Sequence, residues 1–399
     1  MKDEKRSVPG KKRAHRIRKI ALIVGVWILV IECAAQLLVR WKPEWTHPAK
    51  AWLHADALNG YDWIEPYFSE WWESYSVDWK SYVYWRRRPY TGEFINIDER
   101  GVRKTWRGET PGSNETPIRI FMFGGSTLWG FGARDENTIP SHLAKRISTA
   151  SGKPVEVTNY GETGYVSTQE MIALLRLLQA GNIPDVAIFY DGNNDVFSAY
   201  QSHAAGLPQN EYRRRKEFNL LRVRGEKTGY LAGAAAYHTV MHSAALQLFQ
   251  ATMRSIGPPR MVGSGAPVMP VEVSRDLGNQ VAKIYEGNVR ILDALAREYG
   301  FALYCFWQPT VFDKPSRSTF EQMQESDFSY LRDFNVEAAR ALKETGDERI
   351  ILLSDVFEST REPIFIDFCH VSEKGNGMIA EAMLPYVLPA LGPDPSIIP

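Results

Sequence analysis

The stretch IRIFMFGGSTLWGFG, residues 118–132, runs from a buried-strand pattern into glycines, and Ser126 sits just past the break. A serine hydroxyl works as a nucleophile when it has a base to take its proton, a group to orient that base, and donors for the oxyanion formed on attack. The chain holds a candidate for each role. Asp367 and His370 bound the segment DFCH, and this spacing lets the carboxylate reach one imidazole nitrogen while the other faces a serine. Gly161 in NYGETGY can bring a backbone N–H close to a ligand. Asn194 in GNND can point amide donors into the same crevice. Together they imply a serine nucleophile with its base, its orienting acid and its oxyanion donors.

Other readings of the same residues are weaker. A phosphate-binding loop needs a lysine directly after its last glycine, and GGSTLWGFG has none. No acidic residue ends VEVTNY, as a dinucleotide site would require. Leu128 stands where a GxSxG elbow would have its second glycine. Taken singly, Ser126 also fits a helix N-cap, Asn194 and Gly161 fit turns, and His370 fits a structural histidine. Asp191 and Asp195 read as turn and capping carboxylates. Cys369 adjoins His370, but adjacent residues seldom present side chains to each other. Gln308 and Pro309 fit either a pocket lining or a turn. No cofactor is implied, and no metal spacing such as CxxC or HExxH occurs.

These residues are useful only if they share one edge of a fold. Short apolar runs predict strands at Ile118–Phe123, Val155–Tyr160, Asp185–Tyr190, Phe301–Trp307 and Arg349–Asp355. Between and after them, TIPSHLAKRISTA, STQEMIALLRLLQAG, DLGNQVAKIYEGNVRILDALAREYG, the stretch Tyr330–Glu344 and GNGMIAEAMLPYVL predict helices. The alternation predicts an α/β protein, a flavodoxin-like three-layer α/β/α sandwich with a mostly parallel sheet. Ligands bind such sheets beyond the carboxyl ends of the strands, which is where every candidate falls. The pattern breaks from about 196 to 273, far beyond the ~12–15 residues of an ordinary loop, and predicts a partly helical insertion beside the site. Its EYRRRKEF segment reads as a solvated charged face, or else as an anion or lipid-headgroup contact.

Upstream, Lys11, Lys12, Arg13, Arg16, Arg18 and Lys19 precede the apolar run Ile20–Val39. That run is long enough for a transmembrane helix, and the basic flank places the N-terminus in the cytoplasm. The expectation is a single-pass inner-membrane protein with its catalytic domain exported. A cleaved signal peptide is the rival, with CAA before Gln36 as a poor cleavage site. Glu32, inside the run, reads as hydrated near the interface or facing a partner helix. Between Trp41 and Trp85 lie eight of the twelve tryptophans. They fit a sugar-stacking surface, a membrane belt, or the packing of a membrane-proximal subdomain on the main body. Arg86–Trp106 reads as a linker or short β-hairpin. Cys33, Cys305 and Cys369 are too few for a disulfide scaffold, and a Cys305–Cys369 pair stays open. Lysine plus arginine equals aspartate plus glutamate, 47 against 47, which argues against a nucleic-acid binder.

The four blocks around Ser126, Gly161, Asn194 and Asp367–His370, in that order, resemble those of the SGNH hydrolases, also called the GDSL esterase/lipase superfamily. The resemblance covers roughly Ile118 to Leu391. It implies a Ser126–His370–Asp367 triad and an oxyanion hole of the Ser126 and Gly161 N–H groups and the Asn194 side chain. Gly124-Gly125-Ser126-Thr127 departs from Gly-Asp-Ser-Leu, which puts any role of the missing aspartate in doubt. The single anchor also resembles membrane-tethered envelope members of the superfamily. The implied domains are a basic tail 1–19, a transmembrane helix 20–39, an aromatic-rich region 40–116 and the hydrolase-like domain 117–392. The implied activity is hydrolysis of acyl esters, first of all O-acetyl esters on an envelope or extracellular polysaccharide. The rivals are an O-acetyltransferase fed by a separate acyl-delivering partner, and a catalytically silent glycan-binding or assembly protein.

Overall fold

The computed structural model describes residues 9–42, 52–108, 116–222, 239, 243–256 and 270–391. The chain starts with helix α1 (Pro9–Trp41) and α2 (Ile64–Glu73). Two antiparallel hairpins follow, β1 (Val77–Lys80) with β2 (Tyr84–Arg87) and β3 (Tyr90–Thr91) with β4 (Asn96–Ile97). Then come β5 (Ile118–Gly124), the single turn α3 (Ser126–Trp129), α4 (Ile139–Ser151), β6 (Val155–Asn159), α5 (Ser167–Gln179) and β7 (Val186–Asp191). Helices α6 (Asn193–Ser202), α7 (Glu211–Arg222), α8 (Ala244–Ile256) and α9 (Val271–Tyr299) lead to β8 (Ala302–Trp307). The chain ends its described part with α10 (Thr319–Asp327), α11 (Ser329–Thr345), β9 (Ile350–Leu352) and α12 (Glu373–Val387).

The chain divides into two compact units, Met1–Lys50 with Glu217–Arg260, and Ala51–Lys216 with Met261–Pro399. The second unit holds a five-stranded, all-parallel sheet in the order β6-β5-β7-β8-β9. That is the doubly wound order 2-1-3-4-5, with helices on both faces. Strand alternation sends Ile120 and Met122 of β5 to one face, where they meet Leu143 and Ile147 of α4 and Ile379 and Met383 of α12. Phe121 and Phe123 go to the other face, against Leu174 of α5, Val281 of α9 and Phe334 of α11. Each such side chain contributes roughly 1.5–3 kcal/mol by leaving water, so a one-residue slip of β5 would be prohibitive.

Two predicted boundaries move. Residues 196–202 belong to the sheet domain, because Val196 and Ala199 on α6 are fully buried in its core. The chain leaves that unit only at Glu217 and rejoins it at Met261. Residues 223–238, 240–242 and 257–269 of the expected insertion lie outside the described residues. The aromatic-rich stretch from residue 52 onward is built onto the sheet domain. Trp52 stacks on Phe68 at 5.7 Å between ring centres and meets Phe131, just past α3, edge-on at 4.9 Å. Arg214, expected on a solvated face, lies over the Trp85 ring at 4.5 Å.

In the first unit, the stretch Arg18–Trp41 of α1 is long and apolar enough to cross a membrane, as a signal sequence also would be. Helix α8 packs beside α1 in the same unit.

Candidate active site

The strand ends deliver the candidate residues to one edge of the sheet. Ser126 follows β5, Gly161 follows β6, Asn194 follows β7, Gln308 follows β8, and Asp367 and His370 follow β9. Ser126 Oγ lies 2.7 Å from His370 Nε2, and His370 Nδ1 lies 2.6 Å from Asp367 Oδ2. A carboxylate only accepts hydrogen bonds, so Nδ1 carries the ring proton and Nε2 is left to accept the serine O–H. Asp367 Oδ1 also accepts the backbone N–H groups of Cys369 at 2.9 Å and His370 at 2.7 Å. Burial pushes the Asp367 carboxyl up, but the facing His370 and these N–H groups outweigh it, and the net shift is downward. The loop is fixed from below by Glu321, which pairs with buried Lys314 at 2.8 Å and accepts the N–H groups of Ile364 and Phe365.

Glycine is required at the serine turn by close approach. A Cβ on Gly125 would lie 2.0 Å from Asn194 Nδ2, so the amide of Asn194 rests directly against the turn that carries Ser126. Gln209 Nε2 donates to Asn194 Oδ1 at 3.4 Å, which turns the Asn194 NH₂ group toward the turn. The Ser126 N–H opens α3 and has no acceptor in a preceding turn. Gly161 differs from expectation. Its N–H donates to Asn159 Oδ1 at 3.0 Å, so it is engaged within its own loop rather than open to the crevice. Asn159 in turn donates to the Leu128 and Trp129 carbonyls at 3.3 Å each, tying β6 to α3. A Cβ on Gly161 would collide with Trp129 N at 2.7 Å.

The residues after Ser126 are gripped from the N-terminal segment. Arg103, 1% exposed, donates to the carbonyls of Trp129 at 3.1 Å, Gly130 at 2.7 Å and Ala133 at 2.6 Å, and pairs with Asp135 at 2.9 Å. The Trp129 ring lies between two guanidinium groups, Arg87 at 4.0 Å and Arg103 at 4.2 Å. Tyr67 OH accepts the Gly132 N–H at 2.9 Å and donates to the Gly130 carbonyl at 3.2 Å. Phe131 then sets its ring 4.5 Å from that of His370. No local signal marks Arg103, Tyr67 or Asn159 in the sequence, because each reaches backbone carbonyls of a distant turn.

Two expectations about neighbouring side chains are corrected. Cys369 Sγ does approach His370 Nδ1, at 3.6 Å, in a loop that reverses between Phe365 and Val371. Burial pushes its thiol well up, which keeps it neutral. Asp367, Cys369 and His370 place ligand atoms within 4.8 Å of one another, but Asp367 and His370 are committed to each other and the thiol is neutral, which is a poor donor set for a metal. Cys305 and Cys369 are both free and buried.

The second correction concerns Asp191. Asp195 does cap α5, accepting the Ser167 N–H at 3.2 Å and its hydroxyl at 2.6 Å. Asp191, however, sits in a buried acid group with Asp195 and Glu170, where the Glu170 carboxyl meets that of Asp191 and no N–H or hydroxyl donor among the described residues. Burial, then mutual repulsion, raises Glu170 well above the usual carboxylate range. Burial likewise pushes Asp191 up to about 8 and Asp195 to about 6. The folded chain therefore holds protons that the unfolded chain has released. Stability falls as pH rises from the unfolded carboxylate range near 4 toward about 8, where Asp191 titrates, by up to about 1.4 kcal/mol per pH unit and group. Glu170→Gln keeps the shape and removes one charge. Thermal melts should show this variant close to the parent at pH 5 and several degrees more stable at pH 8; a lower melting temperature at pH 8 would contradict the repulsion.

No family model matches the sequence, and no curated protein matches it. Solved structures do resemble it. A lipase from a goat rumen metagenome is 14% identical over 67% of this chain and 96% of its own, with a TM-score of 0.39. A carbohydrate acetylesterase from Sinorhizobium meliloti is 13% identical over 68% and 99%, with a TM-score of 0.35. A member of the lipolytic protein G-D-S-L family from Veillonella parvula is 12% identical over 67% and 96%, with a TM-score of 0.34. Likenesses this loose carry no weight beside the strand order and the Ser126–His370–Asp367 distances, which belong to this chain itself.

Proposed function

We propose that the chain is a serine esterase of the SGNH hydrolase type. The observation that supports this most is the unbroken chain of hydrogen bonds from Ser126 Oγ through His370 to Asp367. In the proposed reaction, His370 Nε2 takes the Ser126 proton as Oγ forms a bond to the ester carbonyl carbon. The carbonyl oxygen becomes an oxyanion held by the Ser126 N–H and the Asn194 amide. Imidazolium, steadied by Asp367, then protonates the leaving alcohol as the C–O bond breaks. Water attacks the acyl-serine, gives its proton to His370, and releases the acid; His370 returns a proton to Ser126.

The substrate class we propose is an acyl ester, first of all an O-acetyl ester on an envelope or extracellular polysaccharide. It is supported by the reading of Arg18–Trp41 as an anchor with the sheet domain exported. The test is incubation of the full-length protein with an acetylated oligosaccharide and with a fluorophosphonate probe. Release of acetate and covalent labelling at Ser126 are expected. Transfer of acetyl to an added sugar acceptor outrunning release would overturn hydrolysis, and absence of labelling in folded protein would overturn the serine mechanism. Asn194→Ala should lower kcat by about 10²–10³-fold, the usual cost of one oxyanion donor, with KM little changed. Steady-state kinetics checks this.

A further inference from the structure

Glu32 is an acid within the apolar length of α1, and its partners come from a distant part of the chain. Its carboxylate accepts the Ser243 hydroxyl at 2.6 Å and the N–H groups of Ala244 at 2.8 Å and Ala245 at 3.4 Å, while Gln36 Nε2 donates at 3.2 Å. Ala244 and Ala245 open α8, and the first N–H groups of a helix have no partner of their own. Glu32 therefore caps a helix that begins 212 residues later. Charge supports the same docking, since the N-terminal end of a helix is its positive end.

Depth follows from the position of Glu32. It stands nine residues before Trp41, the last residue of α1, or about 13 Å of helix rise. A carboxylate that far inside a spanning helix is costly unless paired, and α8 supplies the pairing. The start of α8 must then lie at the depth of Glu32. Its sequence suits that place. By helical periodicity Leu246 and Phe249 share one stripe, and Gln247 lies off it. Phe249 is 60% exposed, and on α1, the helix that α8 packs beside, Leu29 and Leu37 are exposed as well.

We propose that α8 is a second membrane-contacting element, lying in the leaflet distal to the basic N-terminus, with its N-terminus on Glu32 and its Leu246–Phe249 stripe against the acyl chains of a phospholipid bilayer. The proposal rests on α1 spanning that bilayer.

The test uses full-length protein with Cys33→Ser, reconstituted in phosphatidylcholine–phosphatidylglycerol vesicles. The remaining cysteines, Cys305 and Cys369, are buried. Phe249→Cys, and separately Leu29→Cys as the control in α1, carries an environment-sensitive fluorophore. At position 249, lipid-borne doxyl groups should quench several-fold more than aqueous iodide does. Adding Glu32→Ala should reverse that preference at 249 and leave position 29 unchanged. Iodide quenching at 249 with lipid quenching at 29 would overturn the proposal and leave the α1 reading standing. Iodide quenching at both positions would overturn the α1 reading itself. Protection from both quenchers at 249 would mean that protein, such as a second copy of this chain, covers the stripe, and would overturn lipid as the occupant.

Discussion

Ser126→Ala should abolish ester hydrolysis, with kcat falling by roughly 10⁶-fold, the scale seen when a serine nucleophile is removed from an intact triad. The size of the effect follows from the geometry. Ser126 Oγ is the atom that faces His370 Nε2 at 2.7 Å, and without it the base has nothing to activate but water. Ser126 contributes a hydroxyl rather than apolar surface, so thermal unfolding and circular dichroism should match the parent. Activity of the variant within tenfold of the parent would mean that some other group attacks the ester.

Arg103→Ala should destabilise the folded protein by about 3–5 kcal/mol, the range for removing one partner of a buried ion pair. Three losses combine. Asp135 keeps only Asn96 as a side-chain donor, at 3.0 Å, and burial already pushes its carboxyl upward. Three carbonyls of residues 129–133 lose a donor, with Trp129 left to Asn159 and Gly130 to Tyr67. Trp129 loses one of the two cations on its ring. Urea unfolding measures the change. Activity should fall as well, because Phe131 rides on the loosened turn and packs on His370. Arg103→Lys, which keeps the charge but not the fork, should fall between the two; a loss below about 1 kcal/mol for Arg103→Ala would show that the network contributes little.

What could be read in the sequence is what repeats locally. The strand runs alternate faces, as Ile120 and Phe121 do, and helix ends are marked by residues such as Thr138 and Gly152. The site residues were legible because serine, histidine, aspartate and asparagine beyond strand ends are chemically conspicuous together. Long-range closure was not legible. Asn159 taking the Gly161 N–H depends on the path of one loop, and Arg103 reaching Gly130 depends on how a hairpin docks. The acid group at Glu170, Asp191 and Asp195 joins α5, β7 and α6, and only tertiary packing reveals that burial and repulsion among the three outweigh the pull of Arg86 on Glu170. The start of the insertion was misplaced because α6 has too few apolar residues to look like core.

Ser126 and His370 are 244 residues apart in the chain. A ribosome adding about 5–20 residues per second makes the serine roughly 12–50 s before its base, so the nascent polypeptide carries an idle hydroxyl for most of its synthesis. The parts that grip the turn, Tyr67, Arg87 and Arg103, come off the ribosome earlier still. Order of production thus builds the cradle first, the serine second and the base last. The proposed triad is complete only when β9 and the loop after it have joined the sheet, so on that reading completion of the last strand is the moment of activation.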